Sequence, residues 1–153
     1  LDIAEGTESN THEVLDVAKG VEVYEIDGPF FFGVATKFDE MMRTSMANKP
    51  LVRIIRMRKV PFIDSTGIHN LELLIKSSQN DGIHVVLSGV KENVRQVLHH
   101  ANIDALIGED HICDHITKAV VMANAIVAKQ QYLCTNVKEM RKNYTNFWIF
   151  FDE

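Results

Sequence analysis

Asp64-Ser65-Thr66-Gly67 is the stretch of this sequence best equipped for chemistry. It follows a β-rich apolar run and precedes residues at helical spacing, so it falls where a strand hands over to a helix. A helix start exposes unpaired N–H groups and carries about half a positive charge. Asp64 has the side chain that caps such an end, and Gly67 lets a backbone or ligand come close. Ser65 would then lie in the first turn with its hydroxyl outward, open to a kinase or an anion. A phosphate there would gain from the dipole and lose part of that gain to Asp64 beside it. The same four residues also suit a plain cap, in which Ser65 and Thr66 bond locally and nothing binds.

Two other groupings hold residue types that could do chemistry. His111 and His115 stand four apart, as two metal ligands on one helix face would. Cys113 points elsewhere on such a helix and a fourth ligand is missing, so no metal site is expected. Ser65 and His69 are also four apart with Asp64 near, but a nucleophilic serine needs a strained elbow of the G-x-S-x-G kind, which is absent. No catalytic residue is therefore expected. Neither G-x-x-x-x-G-K-[ST] nor G-x-G-x-x-G occurs, so any GTP or ATP contact would be shallow and weak, and no firmly held cofactor is expected.

The elements that must position Ser65 follow from periodicity. Residues 21–26 (VEVYEI) alternate as a strand, and Asp27-Gly28-Pro29 is a turn signal. The apolar run 30–34, with Phe30, Phe31 and Phe32, reads as a second strand paired antiparallel to the first. Phe38, Met41, Met42 and Ser45 mark a helix over 35–47, ended by Asn48 and Pro50. A strand over 51–57 leads to the motif. The helix over 66–78 carries Ile68, Leu71, Leu74, Ile75 and Ser78 on one face, and Asn80-Asp81-Gly82 stops it. A strand over 83–87, a Ser88-Gly89 turn and a helix over 91–100 with Val94, Val97 and Leu98 inward come next. His99 and His100 close that helix, where cationic side chains suit the dipole. Residues 105–107 read as a short strand, and Asp110 as the N-cap of a helix carrying Ile112, Ile116, Val120, Ala123 and Val127.

Strands separated by helices of about ten residues imply parallel neighbours. The expected fold is α/β: a small mixed, mostly parallel sheet with an N-terminal antiparallel hairpin and helical crossovers. Open sheets of this class place ligands at the carboxyl ends of their strands. That edge would gather Asp64, Ser65, Thr66 and Gly67 with Gly28, Pro29, Phe30, Ser88 and Gly89 as the ligand- or partner-binding loops.

The 153 residues suit one domain. The formal charge of -5 lacks a nucleic-acid footprint. The local cluster Arg53, Arg56, Arg58 and Lys59 is expected to snorkel at the rim of the sheet. Cys113 and Cys134 show no metal spacing and suit free thiols in a reducing compartment. No run reaches the roughly 18 apolar residues of a membrane span, and Leu1 reads as a cut from a longer chain. Residues 1–20 read as a linker from an upstream region and 21–128 as the domain. Residues 129–153 form an extension in which Val137, Met140, Tyr144, Phe147 and Phe151 share a helical face, with Trp148 and Phe150 adding aromatic weight. That face would dock on its own domain or on a second copy, giving a homodimer.

The stretches VEVYEIDGPFFFGVA, VRIIRMRKVPFIDSTGIHNLELL and GIHVVLSGV together resemble a STAS domain, a module shared by SulP-family anion transporters and bacterial anti-sigma-factor antagonists. Residues 26–33 and 56–58 look like the transporter branch. The resemblance implies a non-catalytic regulatory domain on the cytoplasmic face of a membrane. Its partners would be the membrane domain of a sulfate or anion transporter and a soluble regulatory protein or kinase, with occasional nucleotide contact. It places the phosphorylated serine of the antagonists on Ser65. A free-standing antagonist switched at Ser65, or a weak nucleotide-binding domain, would be the alternatives. The extension from Tyr132 onward has no counterpart in the resemblance.

Overall fold

The computed structural model describes residues 3–5, 16–28 and 49–143. The expected strand over 30–34 and helix over 35–47, with Pro29 and Phe30, lie outside the described residues, as do Tyr144, Phe147, Trp148, Phe150 and Phe151. Four strands form one sheet in the order β1 (Ile3–Glu5), β2 (Val21–Asp27), β3 (Val52–Lys59), β4 (His84–Ser88). β2, β3 and β4 are parallel, and β1 runs antiparallel to β2, with Ile3 opposite Ile26. The mixed, mostly parallel α/β sheet is as expected. The antiparallel partner of β2 among the described residues is β1, which arises inside the stretch read as a linker. Three residues are too few for alternation to show, and only the edge of β2 reveals them as a strand.

Alternation along β3 supplies both cores. Ile55 and Met57 join Tyr24, Ile26, Val85 and Leu87 on one face. Helix α1 (Ser65–Asn80) covers that face with Leu71, Leu74 and Ile75, helped by α2 (Glu92–His100) and α3 (Ile103–Ile107). Val52, Ile54 and Val86 face the other way, against Ile116, Ala119, Val120, Ala123 and Val127 of α4 (Ile116–Asn143). A strand buried on both faces reads as a near-continuous apolar run, as β3 and β4 do.

Several local expectations are corrected. Residues 105–107 belong to α3 rather than a strand; Asn102, left-handed at φ 58°, breaks the chain between α2 and α3. Three apolar residues cannot distinguish helix from strand by period. Asp110 caps no long helix. It lies in a 3-10 turn (Glu109–His111), after which Ile112 bridges Leu87 in parallel and the Cys113 N–H donates to the Leu87 carbonyl at 2.8 Å. The edge of β4 claims this backbone, so α4 begins only at Ile116 and His111 and His115 never share a helix face. Val97, expected inward, is exposed. His99 reaches Asp104 at 2.5 Å, and this hydrogen bond raises the imidazole pKa above its ordinary value.

α4 is continuous through residue 143. Its buried positions end at Val127, so the described part of the extension does not dock on its own domain. No helix among the described residues is long and apolar enough to cross a membrane. Asn124 of α4 clamps the chain ahead of β2. Its Oδ1 accepts from the Ala18 N–H at 2.9 Å and its Nδ2 donates to the Asp16 carbonyl at 3.0 Å. Asn124→Ala should cost about 1–2 kcal/mol in urea unfolding and speed hydrogen exchange at the Ala18 amide.

Candidate functional site

β3 ends at Lys59, and a five-residue loop, 60–64, brings the chain to α1. Asn93 fastens that loop by donating to the Pro61 carbonyl at 2.8 Å. Asp64 is extended (φ -91°, ψ 176°), and its Oδ1 accepts from the Gly67 N–H at 2.6 Å, the geometry of an N-cap. The Ile68 N–H donates to the Asp64 carbonyl at 2.9 Å. Asp64 thus serves the third N–H of α1, which leaves those of Ser65 and Thr66 for another acceptor. Ser65 is the first residue of α1. Ser65, Thr66 and His69 are exposed, while Gly67 is buried beneath them. Pro61 and Phe62 of the loop are exposed too, Phe62 at 49%.

The remaining expected site residues sit at the carboxyl ends of neighbouring strands. Gly28 follows β2 at φ 102°, and its N–H donates to the Lys59 carbonyl at 3.1 Å. Gly89 follows β4 at φ 65°, and a Cβ there would lie 2.8 Å from the Cβ of Arg58. Its requirement is therefore steric, a close approach between β4 and β3. Ser88 departs from expectation. It is 1% exposed, and its Oγ has no hydrogen-bond partner among the described residues. The structure moves it from the rim to the interior, because the parallel register places it beside Arg56 within the sheet.

A carboxylate that sequence reasoning missed organises this edge. Glu25 is buried on β2 and meets Arg58 Nε at 3.1 Å, Lys59 Nζ at 3.3 Å and Arg56 Nη1 at 4.0 Å. The register shifts between Glu25 and Asp27, so that Glu25 opposes Arg56 and Asp27 opposes Lys59. This bulge brings Arg58 and Lys59 to one carboxylate. The basic cluster expected to snorkel is instead divided. Arg53 and Arg56 are buried, Arg53 donating to Ser78 Oγ at 3.2 Å on the α1 side. Nothing in the one-dimensional pattern marks Glu25, since only strand pairing places it opposite Arg56.

Two open clefts of about 340 and 580 Å³ lie around Glu92, Arg95, Glu109 and Ile112. Neither includes Asp64, Ser65, Gly28 or Gly89. Cys113 lines the larger one as a buried thiol whose pKa burial pushes up, the opposite of a reactive cysteine.

A mixed sheet covered by helices on both faces, with a capped serine-bearing helix start at its carboxyl edge, defines a small α/β domain of the mostly parallel class. The STAS domain family model matches residues 14–119, and the chain belongs to that family. It is 29% identical over 135 residues to Sulfate transporter 1.1 of Arabidopsis thaliana, covering 80% of this chain and 21% of that protein. The chain thus spans about a fifth of that relative's length. Among solved structures, it is 40% identical to a sulfate transporter family protein from Wolinella succinogenes, with TM-score 0.70, covering 73% of this chain and 91% of that one. It is 35% identical to the SulP transporter STAS domain from Vibrio cholerae, with TM-score 0.67, covering 74% and 88%.

Burial alone would raise the Glu25 carboxyl, but hydrogen bonds from Arg58 and Lys59 and their charges outweigh it and hold the pKa below its ordinary value. A lowered carboxylate pKa contributes stability that is complete above the ordinary carboxylate range and is lost as pH falls through the lowered value. Glu25→Gln should therefore be about 2 kcal/mol less stable at neutral pH. The gap to the wild type should close in acid, read by urea unfolding at several pH values.

Proposed function

We propose that this chain is the regulatory and partner-binding domain of a SulP-type sulfate or anion transporter, held at the cytoplasmic face of the membrane and catalysing nothing itself. The likeness to segments of sulfate transporters supports the transporter setting. One observation carries the role of the site: Ser65 is exposed at the start of α1 while Asp64 already satisfies the Gly67 N–H. A hydroxyl in that position is open to a kinase without local unfolding.

In the proposed switch, the Ser65 Oγ attacks the γ-phosphorus of ATP. The bond from that phosphorus to the bridging oxygen of ADP breaks, and the hydroxyl proton leaves to base or water. The phosphate then meets the spare N–H groups of Ser65 and Thr66 and the positive end of α1, against repulsion from Asp64. The outcome is a change in surface charge and cap geometry on the face that also carries Pro61, Phe62 and His69. That face would contact the membrane domain, or a soluble regulatory protein, in one state and release it in the other. A free-standing antagonist would use the same surface, but the transporter likenesses favour the first setting. Weak GTP or ATP contact at this edge remains a secondary reading, favoured by the cations Arg58 and Lys59 beside Gly28 and Gly89.

Incubation with a cognate kinase and ATP should add one phosphoryl group to the wild type and none to Ser65→Ala, read by intact mass. In the parent transporter, Ser65→Glu should change sulfate uptake about twofold or more at unchanged membrane abundance, and Ser65→Ala should abolish the response to the kinase. A phosphoryl group retained by Ser65→Ala, or uptake indifferent to both substitutions, would remove Ser65 from the mechanism. Amide signals of Ser65, Gly67 and Gly89 that stay still under GTP and ATP would dispose of the nucleotide contact.

A further inference from the structure

α3 is a helix of five residues, and a helix this short is marginal in water by itself. Its start also lacks an ordinary cap. Asn102 stands in the cap position, left-handed at φ 58°, and its side chain makes no capping hydrogen bond. The hold comes from Asp104, inside the first turn. Its Oδ1 accepts from the Ala105 N–H at 2.9 Å, and its Oδ2 meets Nδ1 of His99 at 2.5 Å. His99 belongs to the last turn of α2. One carboxylate therefore ties α3 to the helix before it, across the break at Asn102. The corner also links distant parts of the fold. The Leu106 carbonyl accepts from Gln79 Nε2 of α1 at 3.0 Å, and Gly108 leads into the 3-10 turn before Ile112, which bridges to β4.

The surroundings favour a charged imidazole. His99 lines the cleft of about 340 Å³ with Glu92, Arg95 and His100 of α2, Asp104 of α3 and Glu109 of the 3-10 turn. The two other basic groups are engaged elsewhere. Arg95 Nη2 donates to the Ile112 carbonyl at 2.8 Å, and His100 Nδ1 donates to the Gln96 carbonyl at 2.7 Å. The hydrogen bond to Asp104 and its charge, with Glu109 behind them, raise the His99 pKa against a small desolvation cost. The end of α2 carries the negative pole of the helix dipole, which also favours a cation there. A neutral imidazole with its hydrogen on Nδ1 keeps the bond to Asp104 but loses the charge that strengthens it. A raised imidazole pKa contributes a hold that is complete below the ordinary value of about 6.5. That hold is lost as pH rises through the raised value.

We propose that the α2–α3 corner is a pH-responsive clasp, closed by charged His99 on Asp104 and loosened when the imidazole turns neutral. The clasp is independent of what Ser65 does and of the transporter setting. Hydrogen exchange at the Leu106 and Gly108 amides reads it, because these N–H groups donate to the Asn102 and Asp104 carbonyls. In the whole chain their protection, corrected for intrinsic exchange, should fall about threefold between about pH 6 and pH 8, a modest change because His99 faces water. The His99 ring signals should titrate above the ordinary imidazole value. His99→Gln keeps a donor without the titrating charge and should remove the pH dependence. Asp104→Asn should return the His99 titration to the ordinary value, and His100→Gln should leave both readings unchanged. Protection in the unsubstituted chain that does not change with pH overturns the proposal, as does a pH dependence that survives His99→Gln or disappears in His100→Gln. A His99 ring that titrates at or below the ordinary value in the unsubstituted chain overturns it without any variant.

Discussion

The middle strand, β3, has to be buried on both faces at once. Ile55 and Met57 close one core and Val52 and Ile54 the other, all inaccessible to solvent. A strand apolar on both sides cannot choose its register by hiding one face, because a slip of one residue exchanges two equally apolar sets. The polar residues in β3 break that degeneracy. Arg53 has to meet Ser78 and Glu22 on the α1 side, and Arg56 and Arg58 have to meet Glu25 on the α4 side. A buried guanidinium out of register would lose its partner at a cost of several kcal/mol. The arginines therefore act as register pins in a sheet whose apolar residues are permissive.

The same pins shape the edge where Ser65 is displayed. The bulge opposite Glu25 turns Arg58 and Lys59 toward one carboxylate, and Gly89 lets β4 pass close to Arg58. Three strands thereby end together as a tight, charged rim. The loop 60–64 leaves that rim, is held by Asn93, and delivers Asp64 as a cap with Ser65 outward. A helix start of this kind can receive a charge without disturbing the core, because Ser65 and Thr66 are exposed and the side chains that hold α1 to the sheet begin one turn on, at Ile68 and Leu71.

α4 divides its labour along its length. Its first half forms the floor under β3 and β4 and, through Asn124, ties down the chain ahead of β2. Its second half runs past the last buried residue, Val127, with its apolar line turned to the outside.

Residue order alone determined the parallel α/β class, because strands buried on both faces and helices with one apolar face carry different periods. It determined the helix start at Ser65 as well, because capping is local: Asp64 and Gly67 are three residues apart and need no distant partner. Tertiary structure decided whatever rests on contacts remote in sequence. The edge of β4 drew Ile112 and Cys113 out of the expected helix, the edge of β2 made a strand of residues 3–5, and register placed Ser88 inside beside Arg56. Glu25 acquired its meaning only when strand pairing set it among Arg56, Arg58 and Lys59. Periodicity reports which face of an element is apolar. The neighbour that face meets is a property of the packed chain, and so is the solvent that Leu133, Val137 and Met140 meet instead.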